Sequence, residues 1–171
     1  MSDAGETSVR GAQSSPEAEE IRYRRATAKD GGAIRALILS VGINPRGLDW
    51  RRFIVAVDER HRVVGCGQVK PHADGSRELA SIAVRQKVRK RGVASELVRR
   101  LMDENGPPLW LMCRSALIGF YQRFGFVAVD DPALMPRYFQ RVHKLAALAG
   151  RLLPSDGRLA VMGWNKNKPS F

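Results

Sequence analysis

A basic loop with a single glycine, residues 89–94 (RKRGVA), lies between an apolar run and an amphipathic run. The apolar run, residues 79–84, predicts a strand, and the amphipathic run, residues 95–104, predicts a helix. The first N–H groups of a helix have no partner inside it, and the helix dipole favours an anion there. Gly92 has no Cβ, so the backbone can approach such an anion closely. The loop therefore predicts a strand–loop–helix unit that binds a phosphorylated ligand.

Length and composition predict one domain. The 171 residues are enough for a full hydrophobic core, and the apolar content of 44% is that of an ordinary globular protein. Residues 1–20 are polar and acidic, which predicts a disordered tail before a single domain over residues 21–171. No secretory signal is recognisable and no apolar run approaches about 20 residues, so we expect a cytoplasmic protein.

The cysteines and histidines predict neither a disulfide nor a metal site. Cys66 and Cys113 both lie in apolar runs, which favours buried thiols in a reducing compartment. His61, His72 and His143 are scattered and show no metal-ligand spacing, so we expect no bound metal.

Charge is unevenly distributed along the chain. The first 20 residues hold one basic and five acidic residues, and the remainder holds 28 basic and 12 acidic residues. This basic excess points to an anionic ligand, whether a nucleotide, coenzyme A or nucleic acid, although charge alone also serves solubility.

Hydrophobic periodicity predicts the order β-α-β-β-β-α-β-α-β-α-β. Thr27 and Asp30 resemble a capping box at the start of the first helix. Residues 136–153 predict a basic amphipathic helix and residues 159–164 a final strand. A three-strand meander followed by β-α units indicates an α/β fold with a mixed sheet of about seven strands and helices on both faces.

Two motifs in this order of elements resemble those of the GCN5-related N-acetyltransferases (GNAT). The family's loop has the pattern R/Q-x-x-G-x-G/A, met by residues 89–94, and its later helix ends in Y-x-x-x-G-F, met from Tyr121 to Phe126. The resemblance covers roughly residues 21–129 and implies an acyltransferase that uses acetyl-CoA as co-substrate. It implies that the cofactor lies between the strand at 79–84 and the strand at 109–113. The residues that the resemblance places against it are Ile82, Ala83, Val84, Arg89, Lys90, Arg91, Gly92, Val93 and Ala94.

The resemblance also implies catalytic residues. Tyr121 occupies the position of the tyrosine that protonates the leaving thiolate, and a phenol is a proton donor at neutral pH. Its spacing from Leu117 and Phe124 equally fits a core aromatic residue. Glu78 opens the strand that leads to the loop and is the candidate base, with Asp74 and Glu59 as weaker alternatives. Glu78 as a surface carboxylate at a strand end is the other interpretation.

Several positions have two interpretations. Ser115 stands where family members often have Asn, and it either contacts CoA or caps the helix. Trp50, Arg51 and Gln68 lie in the region where the family forms its acceptor site, with Lys70 and residues 135–139 as further candidates; Trp50 equally fits a hydrophobic plug. Cys113 as a nucleophile has no nearby His to activate it.

The leading prediction is transfer of an acetyl group to a primary amine, with a small amine or amino acid as acceptor. A protein lysine or N-terminus is the alternative acceptor. A nucleic-acid-binding domain is a competing class, disfavoured because residues 85–91 lack interleaved aromatics. A non-catalytic acyl-CoA sensor is another. No membrane partner is expected, and the last helix and strand are candidates for a homodimer interface.

Overall fold

The computed structural model describes residues 20–149 and 158–165. The predicted tail, apart from Glu20, and the end of the predicted 136–153 helix lie outside these residues. The predicted order of helices and strands is confirmed. The strands are β1 (Arg22–Arg25), β2 (Phe53–Val57), β3 (Val63–Pro71), β4 (Arg77–Val84), β5 (Leu109–Arg114), β6 (Val127–Ala128) and β7 (Leu159–Trp164). The helices are α1 (Gly31–Ser40), α2 (Val93–Asn105), α3 (Ile118–Gln122) and α4 (Arg137–Ala149).

The strands form one mixed sheet in the order β1-β2-β3-β4-β5-β7-β6. Among the described strands, β4 and β5 are the parallel pair, and the other neighbours run antiparallel. The sheet agrees with the predicted fold class of about seven strands. β7 lies between β5 and β6 although it follows both in the chain.

Alternation along β2 places helices on both faces of the sheet. Phe53, Val55 and Val57 pack with the apolar face of α1, whereas Ile54 and Ala56 pack with α2. On β5, Leu109 and Leu111 belong to the α2 face, whereas Trp110 packs with Phe139 of α4 on the opposite face. One face therefore carries α2 and α3, and the other carries α1 and α4.

The start of α1 is held by the predicted capping box. The Thr27 N–H and hydroxyl donate to Asp30 Oδ2 at 2.7 and 2.9 Å. Arg24 donates to both oxygens of the same carboxylate at 2.7 and 2.9 Å. These hydrogen bonds, that of Arg24 first, hold the pKa of Asp30 well below its usual range. A short 3₁₀ turn, Ala28–Asp30, thus connects β1 firmly to α1.

A β-bulge interrupts β4 beside the place where it meets β5. Cys66 of β3 is paired with Ala83, but Gln68 is paired with Ala80, so Ser81 and Ile82 oppose the single residue Gly67. Ser81 has a φ of 59°, in the left-handed region. Register between β4 and β5 is recorded at one position, Glu78 opposite Trp110, near the start of both strands. Beyond it no further register pair joins the two strands toward their carboxyl ends, and this unpaired stretch is called the gap below.

The contact of α2 with the sheet allows a packing test at Gly65. A Cβ on this β3 glycine would lie 2.9 Å from Val93 Cγ1 and 3.2 Å from Leu97 Cδ1. We expect Gly65→Ala to lower the free energy of unfolding by about 1–3 kcal/mol, because it overpacks a buried contact. Urea unfolding measures this change.

The matched control is Gly32→Ala on α1, where nothing lies within 4 Å of the added methyl. It should raise the free energy of unfolding by up to about 1 kcal/mol, since Ala is the better helix former. Wild-type stability in Gly65→Ala would contradict this account of the α2 contact.

Candidate active site

The predicted strand–loop–helix unit is present between β4 and α2. A 3₁₀ turn, Gln86–Val88, follows β4, and Gly92 occupies the N-cap position of α2 with a φ of 77°. The first bond inside the helix joins Glu96 N–H to Gly92 O at 3.0 Å. The N–H groups of Val93 and Ala94 therefore have no acceptor within the helix. Nothing lies within 4 Å of the Cβ position of Gly92, so the space beside these donors is open.

A cavity of about 350 Å³ lies between this loop and α3. Its lining includes the predicted loop residues and two residues of the α3 region: Val84, Arg89, Lys90, Gly92, Val93, Ala94, Phe120 and Arg123. Arg89 also lines a second concavity of about 330 Å³, with Arg85 and Lys87. The loop thus presents cations and free N–H groups to the same space, which suits an anion.

Four of the predicted cofactor residues do not line this cavity. Ile82 is half-buried against the α2 core, and Ala83 is buried with the α1 core, so what they offer the gap is their backbone. Arg91 and Ser115 also lie outside the lining. Ser115 is the first residue of a 3₁₀ turn whose N-cap position is Arg114.

Phe120 and Arg123 were missed as site residues. α3 brings Phe120 to the wall of the cavity. The Arg123 guanidinium lies 5.0 Å from the centroid of the Phe120 ring, a cation–π contact that holds a positive charge at the cavity wall. The run of aromatics around a single Arg at residues 120–126 was the available signal.

Tyr121 is buried on the α2 face of the sheet. Its ring packs edge-on against Phe120 at 4.9 Å and Phe126 at 6.1 Å, and 8% of the residue is exposed. Burial, with a smaller effect of nearby Cys113, raises the pKa of Tyr121 far above its usual value. The phenol therefore stays protonated at neutral pH and remains a potential proton donor.

Both cysteines are free, buried thiols, as the sequence predicts. Burial raises the pKa of Cys66 to about 12 and that of Cys113 to about 11. A thiol held protonated is a poor nucleophile, so Cys113 lacks the activation that acyl transfer through cysteine needs. Cys113 Sγ instead lies 3.9 Å from Met162 Sδ in the core.

Glu78 lies on the opposite face of the sheet, at the closed end of the gap. The residue is 6% exposed, and its Oε2 lies 3.0 Å from His72 Nε2 in the β3–β4 hairpin. The His72 ring stacks on Tyr138 of α4 with centroids 3.5 Å apart and an interplanar angle of 15°. The interpretation of Glu78 as a surface carboxylate is therefore wrong. Tyr138, from the candidate segment 135–139, packs against the His72 ring on this side.

Sequence reasoning missed His72 because its partners are assembled by the fold. Glu78 is six residues away around a turn, and Tyr138 comes from α4, which is distant in sequence. No local spacing marks such a contact. The one available signal was a His and a Glu flanking a short turn.

Asp74 attaches the hairpin to α4. Its Oδ1 accepts the Ser76 hydroxyl at 2.6 Å and its Oδ2 accepts the Tyr138 N–H at 2.7 Å. These bonds, the Ser76 hydroxyl first, lower the pKa of Asp74 to about 2. Asp74 thus acts as a cap for the first turn of α4.

Glu59, the other alternative base, is exposed in the β2–β3 turn, where it accepts the Glu20 N–H.

The three predicted acceptor-site residues have different environments. Gln68 is fully buried on the Glu78 face, with Nε2 3.0 Å from Ser81 Oγ and no partner for Oε1 among the described residues. Trp50 is half-buried against the α1 core, as the plug interpretation predicts. The exposed Arg51 stacks over Trp50 with its guanidinium carbon 4.7 Å from the ring centroid.

Lys70, the further acceptor-site candidate on β3, lies opposite Glu78 in the register and reaches toward the loop at Gly47.

We expect Asp74→Asn to lower the free energy of unfolding by about 1 kcal/mol near neutral pH, because an exposed cap contributes modestly. A carboxyl whose folded pKa is depressed stabilises the fold above its unfolded pKa and loses that effect as pH falls through the folded value. The difference from wild type should therefore shrink between about pH 5 and about pH 2 in urea unfolding.

Asp103→Asn is the control, since Asp103 is an exposed acid on α2. It should change stability by no more than about 0.5 kcal/mol. An equal loss in both variants would argue against a specific role for the Asp74 cap.

Comparison with known proteins identifies the domain. Residues 49–128 match the sequence model of the acetyltransferase (GNAT) domain, and the predicted family resemblance is confirmed. No curated protein sequence matches the chain.

Solved structures share the fold. N-acetylglutamate synthase from Neisseria gonorrhoeae, complexed with coenzyme A and N-acetyl-glutamate, superposes with a TM-score of 0.68 at 16% identity over 89% of this chain. This chain spans only 36% of that chain. A Mycobacterium tuberculosis protein in complex with CoA gives a TM-score of 0.61 at 21% identity, over 84% of this chain and 98% of that one. Escherichia coli ElaA gives 0.62 at 15%, over 85% and 100%. At these identities the likeness shows the fold.

The described residues include neither a membrane-spanning helix nor a metal-binding cluster. No described helix has the length and apolar content to cross a membrane. Within the same residues, no group of three or more His, Cys, Asp or Glu side chains is placed to hold a metal ion.

Proposed function

Because residues 49–128 form an acetyltransferase (GNAT) domain, we propose that the chain moves an acetyl group from acetyl-CoA to the nitrogen of a primary amine. The observation that carries this proposal is the gap between β4 and β5. Its open end meets the cation-lined cavity at Val84 and Phe120, and its closed end lies beside Glu78. A long thioester laid along the gap would reach from one to the other.

The residues around the open end fit the pyrophosphate of CoA. Arg89, Lys90 and Arg123 supply positive charge, and the free N–H groups at the start of α2 point donors at the same space. The backbone of Ile82, Ala83 and Val84 forms the β4 edge of the gap, where amides of the pantetheine arm would pair. Two of the structures with this fold were solved with CoA, which supports this use of the gap.

The reaction proceeds by direct attack in this proposal. Glu78 takes a proton from the substrate ammonium, directly or through a water, and the neutral nitrogen attacks the thioester carbonyl carbon. The C–S bond breaks, and Tyr121 O–H donates its proton to the departing thiolate. The second amine proton returns to Tyr121, directly or through solvent. The products are the acetamide, CoA thiol and one proton released to solvent.

Our proposed acceptor is a small amine or amino acid, with a protein lysine or N-terminus as the alternative. Lys70, opposite Glu78 in the register, and Arg51, stacked on Trp50, supply positive charge that suits an acceptor carboxylate. Trp50 and Gln68 would form part of the acceptor wall. The N-acetyl-glutamate in the Neisseria gonorrhoeae complex makes L-glutamate the first acceptor to test. Two buried free thiols support a reducing, cytoplasmic setting.

Acetyl-CoA should raise the thermal unfolding midpoint of the wild type, and ATP should not. A ligand at about 100 times its Kd stabilises a fold by roughly 2.7 kcal/mol, which is a readable shift. Gly92→Glu should abolish the shift, because a carboxylate would enter the open anion space. Glu96→Gln, which removes a charge at a half-buried position of α2, is the control and should keep the shift.

The same preparation should release CoA from acetyl-CoA with at least one amine of a panel comprising L-glutamate, L-lysine, spermidine and a short peptide with a free N-terminus. A CoA-dependent shift without release would favour a non-catalytic sensor. Absence of any CoA shift, with salt-sensitive DNA binding, would favour the nucleic-acid class.

Tyr121→Phe should lower kcat by about 100-fold while leaving the Kd of CoA unchanged, because loss of a general acid typically costs that much or more. Steady-state kinetics and calorimetry of CoA binding measure the two quantities. Phe124→Leu, an aromatic change on the same segment, is the control for packing. Near-normal turnover in Tyr121→Phe would show that the phenol is only a core residue.

A further inference from the structure

The contact between Glu78 and His72 is unusual for a structural ion pair. A carboxylate that is only 6% exposed needs a strong partner, and an Arg or Lys would fix its charge permanently. Lys70 lies directly across the ladder, yet its side chain extends toward Gly47. The partner that Glu78 does have is an imidazole, 3.0 Å away, which can be neutral or charged. The pair can therefore gain or lose one proton without leaving a buried charge unpartnered.

The imidazole is held in one orientation. Tyr138 covers one of its faces at 3.5 Å, and Phe139 meets it edge-on with centroids 5.8 Å apart. Asp74 anchors Tyr138 through its backbone N–H at 2.7 Å. With Nε2–H donated to Glu78, the lone pair of the ring is on Nδ1, for which no hydrogen-bond partner is found among the described residues. A fixed ring with one free basic nitrogen is arranged to accept a proton.

The pair also links a buried position to solvent. The Glu78 side chain is 8% exposed and that of His72 is 12% exposed, in a hairpin whose turn residues are open to water. A proton taken up beside the gap must be released before the next turnover. His72 is the more exposed member and lies in the hairpin, so the proton can leave through it.

We propose that His72 and Glu78 act together as the proton-accepting pair of the acceptor site, and that the stacked Tyr138 ring holds the imidazole in place. The inference rests on the proposed acetyl transfer. The ammonium N–H bond breaks and its electron pair stays on nitrogen, ready to attack the thioester. The proton goes to the pair, where Glu78 and the nearby Asp74 carboxylate stabilise the imidazolium. It then passes to solvent, so the pair is restored at each turnover.

A nucleophile that needs no deprotonation separates this role from a structural one. Hydroxylamine is already uncharged at neutral pH, whereas the amines of the panel are ammonium ions. His72→Gln keeps a donor toward Glu78 but cannot accept the proton. With the panel amine that wild type acetylates fastest, we expect His72→Gln to lower kcat about 100-fold. With hydroxylamine it should stay within about threefold of wild type, and the KM for acetyl-CoA should not change with either nucleophile.

Two further variants test whether the stacking of Tyr138 on His72 is needed. Tyr138→Phe retains the stacked ring and should keep wild-type kcat with the panel amine. Tyr138→Leu removes the stack and should reproduce the selective loss seen in His72→Gln. His61→Asn is the matched control, because His61 lies exposed in the β2–β3 turn at a φ of 56°, which Asn tolerates. It should leave turnover with both nucleophiles unchanged.

The outcomes distinguish the two levels of the proposal. If His72→Gln lowered kcat equally with the panel amine and with hydroxylamine, or with neither, the proposed role of the pair would be overturned. Acetyl transfer itself would still be supported by the turnover of wild type. If wild type released CoA no faster than a protein-free sample, with every amine and with hydroxylamine, the proposed function would be overturned, and the role of the pair with it.

Discussion

The separation of β4 from β5 is the constraint on which the rest of the site depends. Parallel neighbours normally share a continuous ladder, but here the recorded register is limited to Glu78 and Trp110. β5 keeps its other edge fully paired, because all six of its residues align with β7. The bulge at Ser81 and Ile82 lies a few residues beyond this pair, and a bulged strand bends locally. Backbone groups along the gap then need partners from water or a ligand, since buried ones cannot remain unpaired at low cost.

The two faces of the sheet divide the chemistry. α2 and α3 gather positive charge and free N–H groups around one mouth of the gap, and the hairpin and α4 gather Glu78, His72 and Tyr138 on the other face. Backbone hydrogen bonds fix both groups: the Glu96 N–H to Gly92 O bond at the start of α2, and the Tyr138 N–H to Asp74 bond at the start of α4. A long anionic reactant and a small basic one can thus approach from different directions and meet inside the sheet.

Local signals predicted most of the fold. Alternation and helical periodicity located all eleven helices and strands among the described residues, and Thr27 with Asp30 predicted how α1 begins. The position of β7 between β5 and β6 could not be predicted, because strand order depends on pairing between distant segments. The candidate site likewise has parts that local sequence predicts and parts that depend on tertiary packing. The loop around Gly92 is a local pattern, whereas the contact of His72 with Tyr138 exists only once α4 has packed on the sheet.

The place of β7 also bears on how the molecule is assembled. Six strands and four helices precede it in the chain, but β5 has its antiparallel neighbour only after residues 159–164 have been synthesised. β6 is likewise paired to β7 alone among the described strands. Until then β5 exposes an open, apolar strand edge, the kind of surface that attracts other chains. A nascent chain stalled before this strand would be a natural client for chaperones.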